Sequence, residues 1–279
     1  MSETLVPSPA TVIRAGSEPL GELAPGVSFQ KFASKEVGAD GLCTALATFL
    51  PYSFLPYHLH EFSEAITVVS GSVSVLVEGR SYDLGPLDCI HIPKMLPHST
   101  VNTSAEELIL LTAFANAEPT RQLVDGSGFT TVHYGLSDPL ASDPEHVRRY
   151  ANVEKYELAA GTQFYDLFAR RFGAVGICGG YGEFAPGTSL PCHVHDFGES
   201  ITIIQGVARC EVMGRSQQLS GCDTAFIPRG RPHRFLNESN KTMAMIWVYA
   251  GDEPTRTLID IAYCEGSRPW SEFKNESEV

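Results

Sequence analysis

The sequence predicts an all-β protein made of two tandem domains of like fold, and three observations carry that expectation. A pattern recurs 135 positions along the chain without a gap between Leu23 and Asp125: it carries Gly26 to Gly161, Cys43 to Cys178, Pro51 to Pro186, Gly71 to Gly206, Asp88 to Asp223 and Asn102 to Asn237. Short runs rich in Val, Ile, Phe and Thr (Ala65 to Val69, Val73 to Val77, Ile201 to Ile204, Thr242 to Tyr249) are separated by Gly, Pro, Asp or Asn at the close spacing of a sandwich or barrel. Helix signals are weak throughout. A period this long exceeds the roughly 20 to 50 residues of a solenoid or propeller unit, so each copy reads as a whole domain.

In chain order, residues 1–22 form an N-terminal arm and residues 23–125 the first barrel. Glu78-Gly79-Arg80 reads as a hairpin turn, and a brief turn is expected near Glu118 to Gln122. Residues 126–157 are a linker, where Asp143-Pro144 predicts the start of a short helix over Asp143 to Arg149. Its Arg148-Arg149-Tyr150 reads as a solvated connector. Residues 158–260 form the second barrel, with Met213-Gly214-Arg215 as the hairpin matching the first. Residues 261–279 are a C-terminal tail containing Trp270 and Phe273, with Asn275 to Val279 frayed and acidic.

Composition narrows the function classes. At 279 residues the chain accommodates two domains with independent cores. Its 43% hydrophobic and 19% charged residues are ordinary for a soluble protein, and no apolar run approaches the roughly 18 residues of a membrane span. The net charge of −13, without clustered Lys and Arg, predicts no nucleic-acid partner. The start Met1-Ser2-Glu3-Thr4 lacks the basic and apolar segments of a signal peptide. Seven cysteines with no Cys-x-x-Cys pair argue against a disulfide framework or a zinc knuckle, so a reducing cytoplasm is the expected location.

The chemistry lies in a doubled constellation. His58, His60, Glu64 and His98 in the first half correspond to His193, His195, Glu199 and His233 in the second, each group reading His-x-His-x-x-x-Glu with a third His 40 residues after the first. Even spacing along a strand puts His58, His60 and Glu64 on one face, with Ile66 and Val68 continuing it and Gly71 ending it. His98 then comes from a neighbouring strand after the Pro93 to Pro97 connection. Three neutral imidazoles and a carboxylate suit Fe(II), Mn(II), Co(II), Ni(II), Cu(II) or Zn(II), and four such ligands leave two positions of an octahedral ion open to substrate or dioxygen. His91, His133 and His146 have no repeat partner and are expected in core, surface or loop positions.

These residues resemble the cupin family over most of both repeats. The second copy carries the first cupin motif as Gly187, His193, His195, Glu199 and Gly206, and the second motif as Asp223, Pro228, Gly230, His233 and Asn237, with Cys222 for its leading Gly. The first copy matches with Tyr52, Leu87 and Met95 at Gly positions. The resemblance implies a jelly-roll barrel in each half, a metal held by three His and one Glu in each, and a bicupin enzyme acting on a small molecule. Oxygen-dependent cleavage by non-haem Fe(II) is the leading chemistry, with Glu64 or Glu199 as base, as in flavonol-cleaving bicupins. Those enzymes and oxalate-decarboxylating bicupins space Glu one residue further, and the oxalate reading ranks lower for want of an acidic lid. Alternatives are lyase, isomerase or hydrolase chemistry, or a sensory barrel, suggested by the short spacing and by Phe62 and Phe197. The second copy, closer to the motif and with Cys192, Arg209 and Arg231 nearby, is favoured if only one copy works. A monomer or homodimer is expected.

Overall fold

The computed structural model describes residues 10–17 and 20–272. Phe273 and residues 275–279, expected in the tail, lie outside the described residues. Each half is a pair of sheets curled face to face, antiparallel except where Val132–Gly135 runs parallel to Arg80–Leu84 at the edge of the first half. In the first, the larger sheet runs His146–Arg148, Cys89–Ile92, Glu64–Ser70, Leu108–Phe114, Cys43–Phe49, Val27–Lys31, Gly21–Ala24, and the facing sheet is built around Phe54–Leu59, His98–Val101 and Val73–Val77. In the second, Glu199–Gln205, Met243–Tyr249 and Cys178–Phe184 form the middle of the larger sheet, and Val207–Val212, His233–Leu236 and His193–Val194 the facing one.

Three local signals produce this outline. The hairpin tips read from sequence are in place: Glu78 and Gly79 (φ 47° and 90°) and Met213 and Gly214 (φ 50° and 78°) have the positive φ that a tight hairpin requires. Gly71 and Gly206 turn the chain in left-handed conformation, and an added Cβ there would stand 2.9 Å from the Glu107 carbonyl and 2.6 Å from that of Thr242, so only glycine fits. Buried Asn102 and Asn237 tie strand ends together identically. Asn102 Nδ2 donates to the carbonyls of Phe49, Leu50 and Glu106, and Asn237 Nδ2 to those of Phe184, Ala185 and Lys241.

Alternation along the strands sorts side chains into three cores. Leu108 and Leu110 join the core of the first barrel, and Met243, Met245, Trp247 and Tyr249 that of the second. The intervening Leu111, Ala113, Ala244, Ile246 and Val248 face outward into a third cluster shared by both halves. The large sheets thus pack back to back, and a buried Thr44–Ser200 hydroxyl pair (2.7 Å) crosses between them.

The arm and the linker are exchanged between halves. Thr11–Ile13 pairs with Thr224–Ile227 of the second half, and His146–Arg148 with Cys89–Ile92 of the first. Matching arginines clamp both strands: Arg14 donates to Asp223 (2.7 Å) and the Gln218 carbonyl, and Arg149 to Asp88 (3.2 Å) and the Asp83 carbonyl. The short helix expected over Asp143 to Arg149 is therefore wrong; strand pairing outweighs the Asp-Pro start signal. Nor is Arg148-Arg149-Tyr150 a solvated connector. The Arg148 guanidinium lies 4.0 Å from the Phe172 ring centre, and Tyr150 packs on Tyr165 and Tyr181. Beside them, fully buried Glu145 accepts a bidentate pair from Arg80 (2.6 and 3.0 Å) and the Tyr82 hydroxyl (2.6 Å).

The cysteines also depart from expectation. Cys192 and Cys264 form a disulfide that pins the helix Ile261–Glu265 beside the His193 strand. Cys43, Cys89, Cys178, Cys210 and Cys222 are free. Among the described residues no helix is long and apolar enough to cross a membrane.

Candidate metal centres

Both predicted constellations converge. The ligand atoms of His58, His60, Glu64 and His98, and separately of His193, His195, Glu199 and His233, lie within 4.8 Å of one another, and all eight residues are buried. That separation is within a few tenths of an ångström of the roughly 4.4 Å that two donors about 2.2 Å from one ion span across it. The route to convergence differs from single-strand alternation. The strand carrying His58 ends at Leu59, the chain turns, and Glu64 begins a strand of the facing sheet. His58 lies directly across from His98, and His193 across from His233, so two ligands come from one sheet and the carboxylate from the other.

All six rings are oriented in the same way. Nδ1 of His58, His60 and His98 lies 2.8, 2.5 and 2.9 Å from the carbonyls of Pro56, Thr120 and Leu96. Nδ1 of His193, His195 and His233 lies 2.8, 2.6 and 2.7 Å from those of Pro191, Thr255 and Arg231. A carbonyl only accepts, so Nδ1 carries the proton and Nε2 presents its lone pair to the centre, which is the arrangement that tunes a ligating imidazole. Phe62 and Phe197 stack on the second His of each set, with ring centres 5.2 and 5.3 Å away.

The electrostatics suit a cation. Burial, with the neighbouring His98, pushes His58 down to about 3, so it is a neutral ligand at ordinary pH, and His193 is pushed well down for the same reason. Burial alone would raise Glu64 and Glu199, but the adjacent imidazoles outweigh it and hold both carboxyls well below the usual range. Buried Nε2 atoms of His60, His195 and His233 and Oε2 of Glu199 make no well-formed hydrogen bond and instead crowd together, with His233 Nε2 2.6 Å and His195 Nε2 3.4 Å from Glu199 Oε2 and His60 Nε2 3.3 Å from Glu64 Oε2. Buried polar groups are rarely left so, and a divalent ion fits the donor set.

The two centres differ in access. In the first barrel a cavity of about 190 Å³ reaches His58, His60 and Glu64 and is walled by residues including Phe29, Phe49, Leu55 and Leu110. Thr112 and Thr100 line or border it, and repeat equivalence puts Trp247 and Phe235 at these positions in the second barrel, both buried. Trp247 finds room because the facing strand carries Gly180, whose added Cβ would stand 2.6 Å from the indole. The nearby pocket there, lined by Tyr156, Asp166, Trp247 and Arg256 among others, touches none of the four ligands. Arg209 and Arg231, expected near a pocket, bond instead to Glu238 with Glu211 and to the Met213 sulfur.

Sequence reasoning missed Arg121 and Trp247. Arg121 lay in the repeated Glu-Pro-Thr-Arg segment, and Trp247 in the mismatch with Thr112. Of the histidines without repeat partners, His91 and His146 face each other across paired strands, with His91 buried, while His133 is exposed.

The Cupin domain family profile matches residues 45–114 and 180–249. A search of the curated proteins found no match. Among solved structures, the chain is similar to a formate complex of Lactobacillus farciminis oxalate decarboxylase (TM-score 0.73, 15% identity, covering 96% of this chain and 93% of that one). It is also similar to Bacillus subtilis oxalate decarboxylase at pH 4.6 (TM-score 0.71, 16% identity, 96% and 82%) and to the same enzyme in work on its Mn(II) centres (TM-score 0.70, 16% identity, 96% and 84%). At these identities the likeness is one of fold. With one matched domain in each half, together spanning half of its length, the chain belongs to the cupin family.

Proposed function

We propose that the protein is a metal-dependent enzyme that cleaves a small organic anion by lyase-type chemistry, and that the first barrel does the work. The observation that carries this reading is the cavity reaching His58, His60 and Glu64, against a second barrel whose corresponding pocket, lined by Trp247 and Tyr249, touches none of its four ligands. It reverses the preference for the second barrel drawn from motif completeness, because an open approach matters more than a turn glycine. His58, His60, Glu64 and His98 would hold the ion, which supplies an electrophile for a substrate oxygen when bound. Mn(II) is placed first, ahead of Fe(II), because the fold neighbours include Mn(II) oxalate decarboxylase. Glu64 is the one carboxylate among the residues lining the cavity, so on leaving the ion it is the group positioned to take a proton from a bound substrate. Glu199, which the corresponding pocket of the second barrel does not touch, acts as a ligand only.

Oxygen-dependent cleavage is the second reading, favoured by the apolar walls, which suit dioxygen. Turnover of a panel of small carboxylic acids by Mn(II)- or Fe(II)-loaded protein, with and without oxygen, separates the two. The lyase reading expects product and carbon dioxide without oxygen uptake, lost in His58→Ala and kept in His193→Ala. Oxygen consumed in step with product establishes the second reading instead, and binding without turnover marks a sensor.

A further inference from the structure

The first cavity holds, besides the metal ligands, a single charged side chain. Arg121 Nη2 donates to the Leu23 carbonyl (2.5 Å), while Nη1 is buried with no partner. Among the described residues no carboxylate pairs with it. The second half is built differently: its equivalent, Arg256, shares a pocket with Asp166, whereas the first-half position matching Asp166 is Lys31. A guanidinium with a free buried donor requires an acceptor, and an anion supplies it with a charge-assisted bond.

The other walls fix the rest of the ligand. Thr100 and Thr112 add hydroxyls to the wall but no charge, and Phe29, Phe49, Leu55 and Leu110 offer no hydrogen bond, so a second charged group directed at these four would be desolvated without compensation. The volume, about 190 Å³, lies below the roughly 300–1,000 Å³ of drug-sized sites, which limits the body to a few carbons. Resting on the reading that the first barrel is the working site, we infer that its cavity is built for a small carboxylate with an apolar body, the charged end held between Arg121 and the metal and the body against Phe29, Phe49 and Leu55. Oxalate, all polar edge, leaves that apolar end unfilled. Arg121 is thereby the specificity-determining residue, and in the second barrel, where Trp247 replaces Thr112, the equivalent pocket of about 260 Å³ touches none of the four ligands.

The test uses full-length His193→Ala protein loaded with Co(II), whose visible absorption reports ligands arriving at the first centre; wild-type protein with both centres loaded serves if that variant does not fold. It is titrated with 3-methylbutanoate, acetate and oxalate. The expected result is 3-methylbutanoate binding at least tenfold tighter than acetate, since each buried carbon adds favourable transfer free energy, and tighter than oxalate. Arg121→Met should weaken 3-methylbutanoate at least tenfold while Co(II) content stays the same. Equal binding of the three anions, preference for oxalate, or an unaffected Arg121→Met variant overturns the inference and leaves the metal reading standing. Failure of either protein to take up Co(II) at the first centre overturns the reading beneath it.

Discussion

Each imidazole of the two centres has its Nδ1 tied to a main-chain carbonyl, so the ligand geometry is a property of the backbone as much as of the histidines. The eight ligands were legible in sequence because side-chain identity and spacing repeat. The carbonyls that orient them were not, because any residue type supplies one. The same distinction explains the motif glycines. Tyr52, Leu87, Met95 and Cys222 stand at glycine positions and still hold φ between 61° and 70°, so the turn is kept and the strain accepted. A left-handed non-glycine costs about 1–2 kcal/mol, and glycine returns part of that as chain entropy. Tyr52 is 68% exposed and has little packing to lose, so Tyr52→Gly should raise stability by about 0.5–1 kcal/mol in urea unfolding; a loss would show that the tyrosine makes contacts that matter.

A pH effect belongs to the same scale. Burial, with the charge of His146 second, pushes His91 down from 6.5 to about 4, and both of its ring nitrogens are buried without a partner. The folded state binds this proton less readily than the unfolded chain. The stabilisation is therefore complete above pH 6.5 and is lost as pH falls toward 4, by about 3 kcal/mol across that window. Unfolding free energy measured from pH 7 to 4 should fall, and His91→Leu should flatten the slope.

Among elements, the exchanged strands were the least legible. Val12 and Arg14 match Val147 and Arg149 at the same 135-residue offset, yet a three-residue strand carries too little periodicity to register, and its partner lies in the other half. Asp88 and Asp223, familiar from the second motif, receive the clamping arginines, so those motif residues fasten the exchanged strands. The linker strand also depends on Glu145. Removing one partner of a buried, hydrogen-bonded ion pair costs about 3–5 kcal/mol. With Arg80 partly exposed, Glu145→Ala should lie near 3 kcal/mol in urea unfolding and speed amide exchange at Val147; an unchanged midpoint would show that the pair merely decorates the linker. The disulfide escaped notice because Cys192 and Cys264 are 72 residues apart and Cys264 lies outside the repeat.

For the whole molecule, the duplication yields two like frames with unlike interiors. The all-β class and the repeated constellation could be read directly, since both rest on patterns local to each half. Which half is open could not, because it depends on whether facing positions hold Thr112 against Ala45 or Trp247 against Gly180, and each pair lies far apart in sequence. The central claim is two metal centres per chain with only the first open to small molecules. Its most direct measurement is water-proton relaxation by Mn(II) bound to His193→Ala, which keeps the first centre, and to His58→Ala, which keeps the second. Each variant should bind one Mn(II) per chain, with relaxation per bound ion clearly larger in His193→Ala. Equal relaxation, or the larger value in His58→Ala, would contradict the account.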